Sequence, residues 1–300
     1  MRTNTSTSIT GIEPAAWDAL VGDGAPFLRH GFLAALEATR CVGGHTGWTP
    51  APITLNDEHG LAAAAPAYIK AHSFGEFVFD FSWAQAYAQH GLAYYPKLVV
   101  GVPFTPATAP RLLVRPDLDA AAWRRKLVTA IEQFAEAREL SSAHGLFLAA
   151  GDRAAFDAAG WLSRSDVQFH WSNGGYADYE AFLATFTQKF RKNARRERRR
   201  VAESGITIDT LLGPELDRAG LDEVYDLHRD TFRRHGHEPY LTRDFFRALP
   251  AALGESLLIK RARHGGETVA AAVFYWNREA LYGRYWGTRE NFHSLHFELC

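Results

Sequence analysis

Cysteine is scarce in this sequence, and long apolar runs are absent from it. Only Cys41 and Cys300 occur among 300 residues, which excludes a disulfide framework and a zinc site built from several cysteines. No stretch of eighteen or more apolar residues is present, so the sequence predicts no membrane-spanning helix. The first residues, MRTNTSTSITG, lack the apolar core of a secretory signal. These absences predict a reduced, soluble protein of the cytoplasm.

Net charge is also nearly absent, but the charges are unevenly distributed. The chain has 33 Lys+Arg and 34 Asp+Glu, a formal net charge of −1. Residues 189–200 contain eight Lys/Arg and one acid, so the other 288 residues have a net charge of −8. We therefore expect a local anion site rather than a surface that attracts polyanions everywhere. The composition, 47% hydrophobic and 22% charged, is that of a globular protein.

The first part of the chain alternates predicted helices with predicted strands, which indicates an α/β (α+β) fold with a mixed sheet. The SNGG sequence at 172–175 is the predicted domain boundary. Predicted helices are Pro26–Arg40, one running from a cap at Asp119 to Leu140, and a short one capped by Asp152 and ending at Gly160. Predicted strands are Ala51–Leu55, Leu61–Tyr68, Lys97–Val102, Arg111–Val114, Gly145–Ala149 and Trp161–Trp171.

The second part repeats this alternation, in a domain predicted over 173–300. Predicted helices are Asp178–Glu203, 215–235 and 242–253, and predicted strands are Leu257–Ala262, Thr268–Trp276 and Ala280–Trp286. The final HSLHFELC has the pattern of a helix that has just begun. We therefore expect the second domain to be truncated at its C-terminus.

Two segments of the chain resemble each other. FLRHGFLAALEA at 27–38 is similar to YLTRDFFRALPA at 240–251, and each precedes a predicted strand–turn–strand unit. Those units, EHGLAAAAPAYI at 58–69 and RHGGETVAAAVFYW at 263–276, are also similar. Two copies of one α/β unit explain the pattern. The alternative is that helix–hairpin units often look alike.

The basic segment KFRKNARRERRRVAESGI at 189–206 is the most distinctive in the chain. Phe182, Phe186 and Phe190 recur every four residues, which predicts a helix face turned to a core. Crowded like charges are unfavourable on a helix, and arginine forks suit phosphate. The alternative is a solvated face paired with acids. The candidate phosphate contacts are Arg191, Lys192, Arg195 and Arg196.

An aromatic tract extends from Tyr68 to Thr105 and contains Asp80 among four aromatic residues. Burial among rings raises the pKa of a carboxyl group unless a cation is paired with it, so Asp80 is the candidate general base. The alternative is a large aromatic core. Possible partners of Asp80 are Lys70, His72, Glu76 and Lys97. Candidate substrate-binding residues are Lys70, His72, Trp83, Tyr94, Tyr95, Lys97 and Tyr285.

Several common site motifs are missing. The histidines form two groups, but neither has the HExxH spacing of a zinc helix, so we expect no metal. No GxSxG elbow and no Walker A loop occurs. The runs RCVGGH and RYWGTR fail the [RQ]xxGx[GA] pattern at its sixth position, so no coenzyme A loop is evident. The two histidine groups are His228, His235, His237 and Glu238, and His293, His296 and Glu298.

At this point the sequence resembles a known family. FRKNARRERRRVAESGI is similar to the segment that opens the second GNAT-like domain of FemA/FemX aminoacyltransferases. The tract GEFVFDFSWAQAYAQHGLAYYPKL, the following PFTPATAPRLL and the final HSLHFELC resemble the FemAB-like (peptidoglycan biosynthesis/recognition) group of the GNAT superfamily. The resemblance implies tandem GNAT-like domains, 1–172 and 173–300, with mixed central sheets flanked by helices.

The resemblance also implies a reaction. Better-known relatives move an amino acid from aminoacyl-tRNA to the peptide of a cell-wall precursor, with no required cofactor. We therefore expect an acyl- or aminoacyltransferase in which an amine attacks an activated ester or thioester. Asp80 would be the base, Lys97 with Tyr94 and Tyr95 would line the acceptor cleft, and the basic helix would bind the phosphate of tRNA or acyl-CoA.

Three other functions fit the same residues. The chain could be a non-catalytic module that binds a cell-wall fragment or a nucleotide, or an acetyl-CoA-dependent N-acetyltransferase. It could also bind RNA without sequence preference through residues 189–200. The donor, the acceptor and the oligomeric state stay open at this stage.

Overall fold

The computed structural model describes residues 2–289, 292 and 294–300. Its strands are β1 (Arg2–Thr5), β2 (Trp48–Pro50), β3 (Ile53–Asp57), β4 (Gly60–Ala65), β5 (Ala67–Lys70), β6 (Lys97–Val100), β7 (Leu113–Val114), β8 (Ala143–Gly145), β9 (Thr207–Leu212), β10 (Leu257–His264), β11 (Glu267–Trp276) and β12 (Leu281–Thr288). Its helices are α1 (Pro14–Val21), α2 (His30–Ala38), α3 (Phe81–Gln89), α4 (Ala120–Ala137), α5 (Ala150–Ala158), α6 (Tyr179–Ala184), α7 (Gln188–Glu203), α8 (Arg218–Arg234), α9 (Arg243–Leu253) and α10 (Leu295–Leu299).

The first half contains two four-stranded sheets that share one long hairpin. Their strand orders are β1-β3-β4-β7 and β2-β5-β6-β8. Pro66 separates β4 from β5, and a proline cannot donate a ladder hydrogen bond, so the hairpin changes partners there. Strands β6 and β8 are parallel, which makes the second sheet mixed as predicted.

Helix α4 shows why these residues form this element. Asp119 caps it by accepting hydrogen bonds from the backbone N–H groups of Ala121 and Ala122. Leu127 and Ile131, four residues apart, are fully buried. They belong to a core that also contains Leu98 of β6, so the helix covers one face of the mixed sheet.

The second half has one antiparallel sheet of order β12-β11-β10-β9. Strand β11 is buried on both faces: Ala271, Val273 and Tyr275 belong to one core, and Ala272 and Phe274 to another. This alternation has the period of two that a strand imposes. Helices α8 and α9 contribute to the first of these cores, and α7 and α10 to the second.

The two halves meet through α2 and α9. Gly31 lies so close to α9 that a Cβ atom there would be 3.2 Å from the carbonyl oxygen of Ala252. The Oγ1 of Thr242, which caps α9, donates to the carbonyl oxygen of Thr39 at 3.2 Å. One apolar core therefore continues from the first half into the second.

The halves also share an order of elements. Each has a strand, a short 3-10 helix, two α-helices and an antiparallel hairpin, and the first strand pairs with the first strand of that hairpin. The elements are β1, α1, α2, β3 and β4 in the first half and β9, α8, α9, β10 and β11 in the second. The domain assignment, 1–172 and 173–300, stays a prediction.

Four predicted elements are wrong or misplaced. The strand predicted over Gly145–Ala149 lies instead at Ala143–Gly145, as β8. Residues 161–171 form no strand, although all of them are described, because no neighbouring strand pairs with them. The predicted helix over 178–203 is two helices, α6 and α7, interrupted at Thr185–Thr187. The predicted helix over 26–40 is a 3-10 turn at Pro26–Leu28 followed by α2.

Asp152 does not cap its helix. It is the third residue of α5, and its buried carboxylate accepts hydrogen bonds from the backbone N–H groups of Arg111 and Leu112. Arg124 completes the contact at 3.2 Å. The carboxylate therefore holds α5 against the two residues that directly precede β7.

Within the described part of the chain, no helix combines the length and the apolar character needed to cross a membrane.

Candidate active site

Two lysines stand side by side on the mixed sheet. Lys70 of β5 and Lys97 of β6 are directly opposite each other, and Trp48 of β2 is opposite Lys70. Opposite residues of neighbouring strands project from the same face, so the three side chains form a row. Both lysine side chains are fully buried. Burying two ammonium groups together requires nearby anions.

Two carboxylates from the loop after β5 supply those anions. The Nζ of Lys97 donates to Glu76 Oε2 at 2.9 Å, to Ser73 Oγ at 3.0 Å and to Asp80 Oδ2. The hydroxyl of Tyr94 also donates to Asp80 Oδ2, at 2.6 Å. The ammonium of Lys97 thus has three acceptors, which offsets much of its desolvation. We call Lys70, Glu76, Asp80, Tyr94 and Lys97 the lysine–carboxylate cluster.

Lys70 has a different environment from Lys97. Its Nζ lies 3.7 Å from the centre of the Trp48 ring and donates to the carbonyl oxygen of Phe74 at 3.2 Å. Burial lowers the pKa of Lys70 to about 7, and the positive charge of Lys97 acts in the same direction against the attraction of Glu76. A substantial fraction of Lys70 is therefore a neutral amine near pH 7.

The pKa values of Glu76 and Asp80 are shifted in opposite directions. Burial raises the pKa of Glu76 by more than Lys97 lowers it. Burial acts the same way on Asp80, but hydrogen bonds from Lys97 and Tyr94 outweigh it and lower the pKa of Asp80 to about 2. Among the described residues, Glu76 Oε1 and Asp80 Oδ1 have no hydrogen-bond partner although both are buried. Each of these oxygens has acceptor capacity that no described group uses.

Further side chains border the cluster. The hydroxyl of Tyr95 is 2.7 Å from Ser73 Oγ, and the backbone N–H of Phe74 donates to His72 Nδ1 at 3.3 Å. His144 of β8 lies against Tyr94, with 6.1 Å between ring centres. Burial and the charge of Lys97 lower the pKa of His144 to about 4, so this imidazole is neutral.

The structure thus brings together Lys70, Asp80, Tyr94, Tyr95 and Lys97, with His72 at the edge. The side chains of two other predicted substrate contacts are not part of the cluster. Trp83 is 53% exposed on α3, and Tyr285 of β12 packs against His228 and Phe246. Sequence reasoning missed His144, because only the parallel pairing of β8 with β6 brings it to this place.

The loop that carries the carboxylates has an uncommon backbone. Phe77 and Phe79 have φ values of 62° and 48°, in the left-handed region that bulky residues rarely adopt. Gly75, with φ 81°, lies under the ring of Phe104, which is itself at φ 56°. Such conformations persist where the surroundings impose them, and they are frequent at functional sites.

Tyr240 and Arg284 of the second half contact this loop and the neighbouring Phe104. Phe104 stacks on Tyr240 with 5.2 Å between centres and 12° between planes, and Phe77 meets Tyr240 edge-on at 6.2 Å. Arg284 of β12 donates to the carbonyl oxygen of Phe104. The position of the cluster therefore depends on both halves.

The basic helix α7 uses part of its charge internally. Arg191 donates to the carbonyl oxygens of Leu183 at 3.1 Å and Phe186 at 3.0 Å, at the end of α6. Arg195 pairs with Glu180. Lys192 and Arg196 are exposed, and Arg196 donates to its neighbour Asn193 at 3.2 Å.

The predicted apolar face of this helix is only partly correct. Phe190 is 62% exposed, and the buried apolar residues of the region are Leu183 and Val201. Two other arginines line a cavity of about 370 Å³ between α7, β9 and α10. Arg198 pairs there with Glu298 at 3.1 Å. The cavity is lined by Arg198, Arg199, Val201, Ala202, Ile206, Ile208 and Glu298.

Within the described ranges, no three His, Cys, Asp or Glu side chains gather closely enough to hold a metal ion. His293, which belongs to one of the two histidine groups, lies outside these ranges.

The fold and the site define a mixed α/β protein with a buried lysine–carboxylate cluster beneath an aromatic loop. Its fold is similar to that of FemX, with a TM-score of 0.54 and 11% identity over 97% of this chain and 81% of that one. It is also similar to the C-terminal domain of an Agrobacterium fabrum protein named as a lysylphosphatidylglycerol synthetase. There the TM-score is 0.53 and the identity 12%, over 95% and 70% of the two chains.

The chain belongs to the FemAB-like family, described as peptidoglycan biosynthesis/recognition, whose model matches residues 8–300. No curated protein matches the sequence. The family predicted from the basic helix and the aromatic tract is therefore confirmed.

Proposed function

We propose that the protein is an acyl- or aminoacyltransferase that acts on an amine acceptor of the peptidoglycan-precursor type. The observation that supports this proposal is the lysine–carboxylate cluster, which combines buried carboxylate oxygens that have no hydrogen-bond partner with a lysine of lowered pKa. The family description, peptidoglycan biosynthesis/recognition, supports the acceptor class.

The reaction is an acyl transfer. The amine nitrogen attacks the carbonyl carbon of the activated ester or thioester, and the carbonyl oxygen gains negative charge. The bond from carbon to the oxygen or sulfur of the carrier then breaks. One proton leaves the nitrogen and one is gained by the departing oxygen or sulfur, so the reaction needs a proton acceptor and a donor for the oxyanion.

Asp80 and Lys70 are the two candidates to accept the proton that leaves the amine nitrogen. Asp80 Oδ1 is free to accept a hydrogen bond from the amine, whereas Oδ2 is engaged by Lys97 and Tyr94. A carboxylate with a pKa near 2 is a weak base at neutral pH, and the amine of Lys70, near 7, is better matched. We therefore assign Asp80 to contact with the amine and treat the proton acceptor as a choice between Asp80 and Lys70.

The donor carries phosphate in this proposal, as aminoacyl-tRNA or acyl-CoA, and no separate cofactor is needed. Several of the exposed cations of α7 suit a phosphate backbone. Among them are Lys192, Arg196, Arg198 and Arg199. A cytoplasmic location is part of the proposal.

The test is product formation by the purified protein. We would incubate it with charged tRNA or acetyl-CoA and a muropeptide acceptor, and with phosphatidylglycerol as an alternative acceptor. Mass spectrometry should show the acceptor gaining one aminoacyl or acyl group with the protein but not with Asp80→Asn. Ser82→Ala, an exposed change on α3, is the matched control and should act like the parent. Binding of donor or acceptor with no product from any pair would favour a binding module.

A further inference from the structure

The loop after β5 and helix α3 expose an unusual amount of apolar surface. In the following set, which we call the aromatic surface, between 37% and 69% of each residue is exposed. Its members are Phe74, Phe77, Phe79, Phe81, Trp83 and Leu92. At 150–250 Å² for a large aromatic side chain, the exposed area is on the order of 600 Å², at the upper limit for a monomer.

This surface has no charge. Between Ala71 and Pro96 the only Asp, Glu, Lys or Arg residues are Glu76 and Asp80, and both are buried in the cluster; His72 and His90 are the only histidines of the segment. The polar side chains that accompany the rings, such as Gln85 and Gln89, are neutral. Anionic headgroups are recognised by clusters of Lys or Arg. The aromatic surface has no such cluster.

The surface also protrudes from the body of the protein. No residue of α3 is buried, so this helix is not packed into the core. Phe77 and Phe79 have left-handed backbones although their rings are 37% and 69% exposed. The chain therefore bears backbone strain here without burying the rings in its own core. An external apolar medium would supply that burial.

We propose that the aromatic surface docks on the interfacial layer of a lipid bilayer. Phenylalanine and tryptophan favour that layer, and neutral amides beside them match the headgroup region. A fluid bilayer accepts a protruding helix and loop without a preformed complementary pocket. Because the surface lacks charge, its affinity does not depend on anionic lipid or on salt.

One consequence concerns the acceptor, and it rests on the proposed function. The exposed rings of Phe74, Phe77 and Phe79 alternate along the chain with the buried Glu76 and Asp80. Docking would therefore bring the lysine–carboxylate cluster to the surface of the membrane. The acceptor that this arrangement suits is an amphiphile, whose headgroup carries the reacting group and whose apolar part stays in the bilayer.

The experiment is flotation of the full chain with phosphatidylcholine vesicles at 0.1 M and 0.5 M NaCl. The parent protein should float with the vesicles to the same extent at both salt concentrations. A double variant, Phe79→Ser with Phe81→Ser, should bind at least tenfold less. Phe190→Ser removes an equally exposed ring from α7 and should bind like the parent. Equal melting temperatures would show that all three proteins are folded.

Three outcomes would overturn the proposal. One is absence of the parent from the phosphatidylcholine fraction. Another is binding that needs anionic lipid and disappears at 0.5 M NaCl, which would assign the contact to α7. The third is a dimer in sedimentation that the double variant converts to a monomer, since a second copy would then cover the surface. Flotation is read without turnover, so an inactive protein that still floats would contradict only the proposed function.

Discussion

The ring of Phe32 meets the ring of Phe245 edge-on, with 5.5 Å between centres and 84° between planes. Each is the third residue of its helix, α2 or α9, and the two helices are the similar segments of the sequence. Phe32 and Phe245 occupy equivalent positions in these similar segments, and equivalent residues can touch only where the two segments pack face to face. This contact is therefore where the two halves meet most symmetrically.

We expect this ring pair to be coupled energetically. Phe32 and Phe245 are both buried, so Phe32→Ala and Phe245→Ala should each lower the free energy of unfolding by about 3–5 kcal/mol. Because each change removes the other ring's partner, the double variant should lose about 0.5–1.5 kcal/mol less than the sum. Urea unfolding of the four proteins measures this; strict additivity would show that the contact contributes nothing of its own.

Removing the ammonium of Lys97 should destabilise the fold. Lys97→Met leaves Glu76 and Asp80 buried without their main cation, which typically lowers stability by about 3–5 kcal/mol. The matched control is Lys189→Met, because Lys189 is exposed on α7 and a surface change should remain within about 0.5 kcal/mol. Chemical denaturation at pH 7 compares them, and equal stabilities would mean that water reaches the carboxylates.

Asp80→Asn should abolish turnover and also lower the melting temperature. Asp80 accepts hydrogen bonds from Lys97 and Tyr94, and losing a charged acceptor costs about 1.5–3 kcal/mol. Lys97 retains Glu76 and Ser73, so the variant should still fold. Calorimetry and the product assay measure the two effects, and full activity in the variant would remove Asp80 from the mechanism.

Lys70 should make stability depend on pH above neutrality. Its pKa is about 7 in the folded protein against 10.5 ordinarily, so the unfolded chain binds more protons between these values. The protein is therefore most stable with respect to Lys70 at high pH, where the amine is neutral in both states. Stability falls as the pH is lowered toward 7, because protonation favours the unfolded chain. The free energy of unfolding, relative to Lys70→Met, should rise by ~2 kcal/mol from pH 7 to 9. A flat difference would show an ordinary lysine.

The basic residues of α7 should separate into one that stabilises the fold and others that bind phosphate. Arg191→Ala removes hydrogen bonds to carbonyl oxygens at the end of α6 and should lower stability by about 1–3 kcal/mol. Lys192→Ala and Arg199→Ala should leave stability unchanged but reduce the salt dependence of tRNA binding by about one charge each. Fluorescence anisotropy at several salt concentrations reads this out; an unchanged slope in both variants would place the phosphate elsewhere.

Elements with strong local signals were predictable from the sequence. The cap at Asp119 and the helical spacing of Leu127, Ile131 and Phe134 fix α4, and the turn at Gly265 and Gly266 fixes the hairpin of β10 and β11. Residues 167–171 have the alternation of a strand, yet a strand exists only where a partner offers hydrogen bonds, and none does so here. Helix α3 was not predicted, because its residues lack an apolar face turned to a core.

The candidate site was predictable in part for the same reason. The aromatic tract identified Asp80 and four possible partners, but spacing along the chain does not select Lys97 among them. That selection depends on the opposite positions of Lys70 and Lys97 in two paired strands and on a loop that folds back over both. The burial that lowers the pKa of Lys70 likewise depends on packing in three dimensions, because strand pairing places Trp48, 22 residues away, over the amine.

The apolar core that joins α2 to α9 has a consequence for each half as a separate fragment. Phe32 and Leu36 on one side and Leu249 and Tyr275 on the other are completely enclosed only in each other's company. A fragment ending near residue 172 would expose these apolar side chains to water, and so would the remaining fragment. We therefore expect that neither half folds stably without the other.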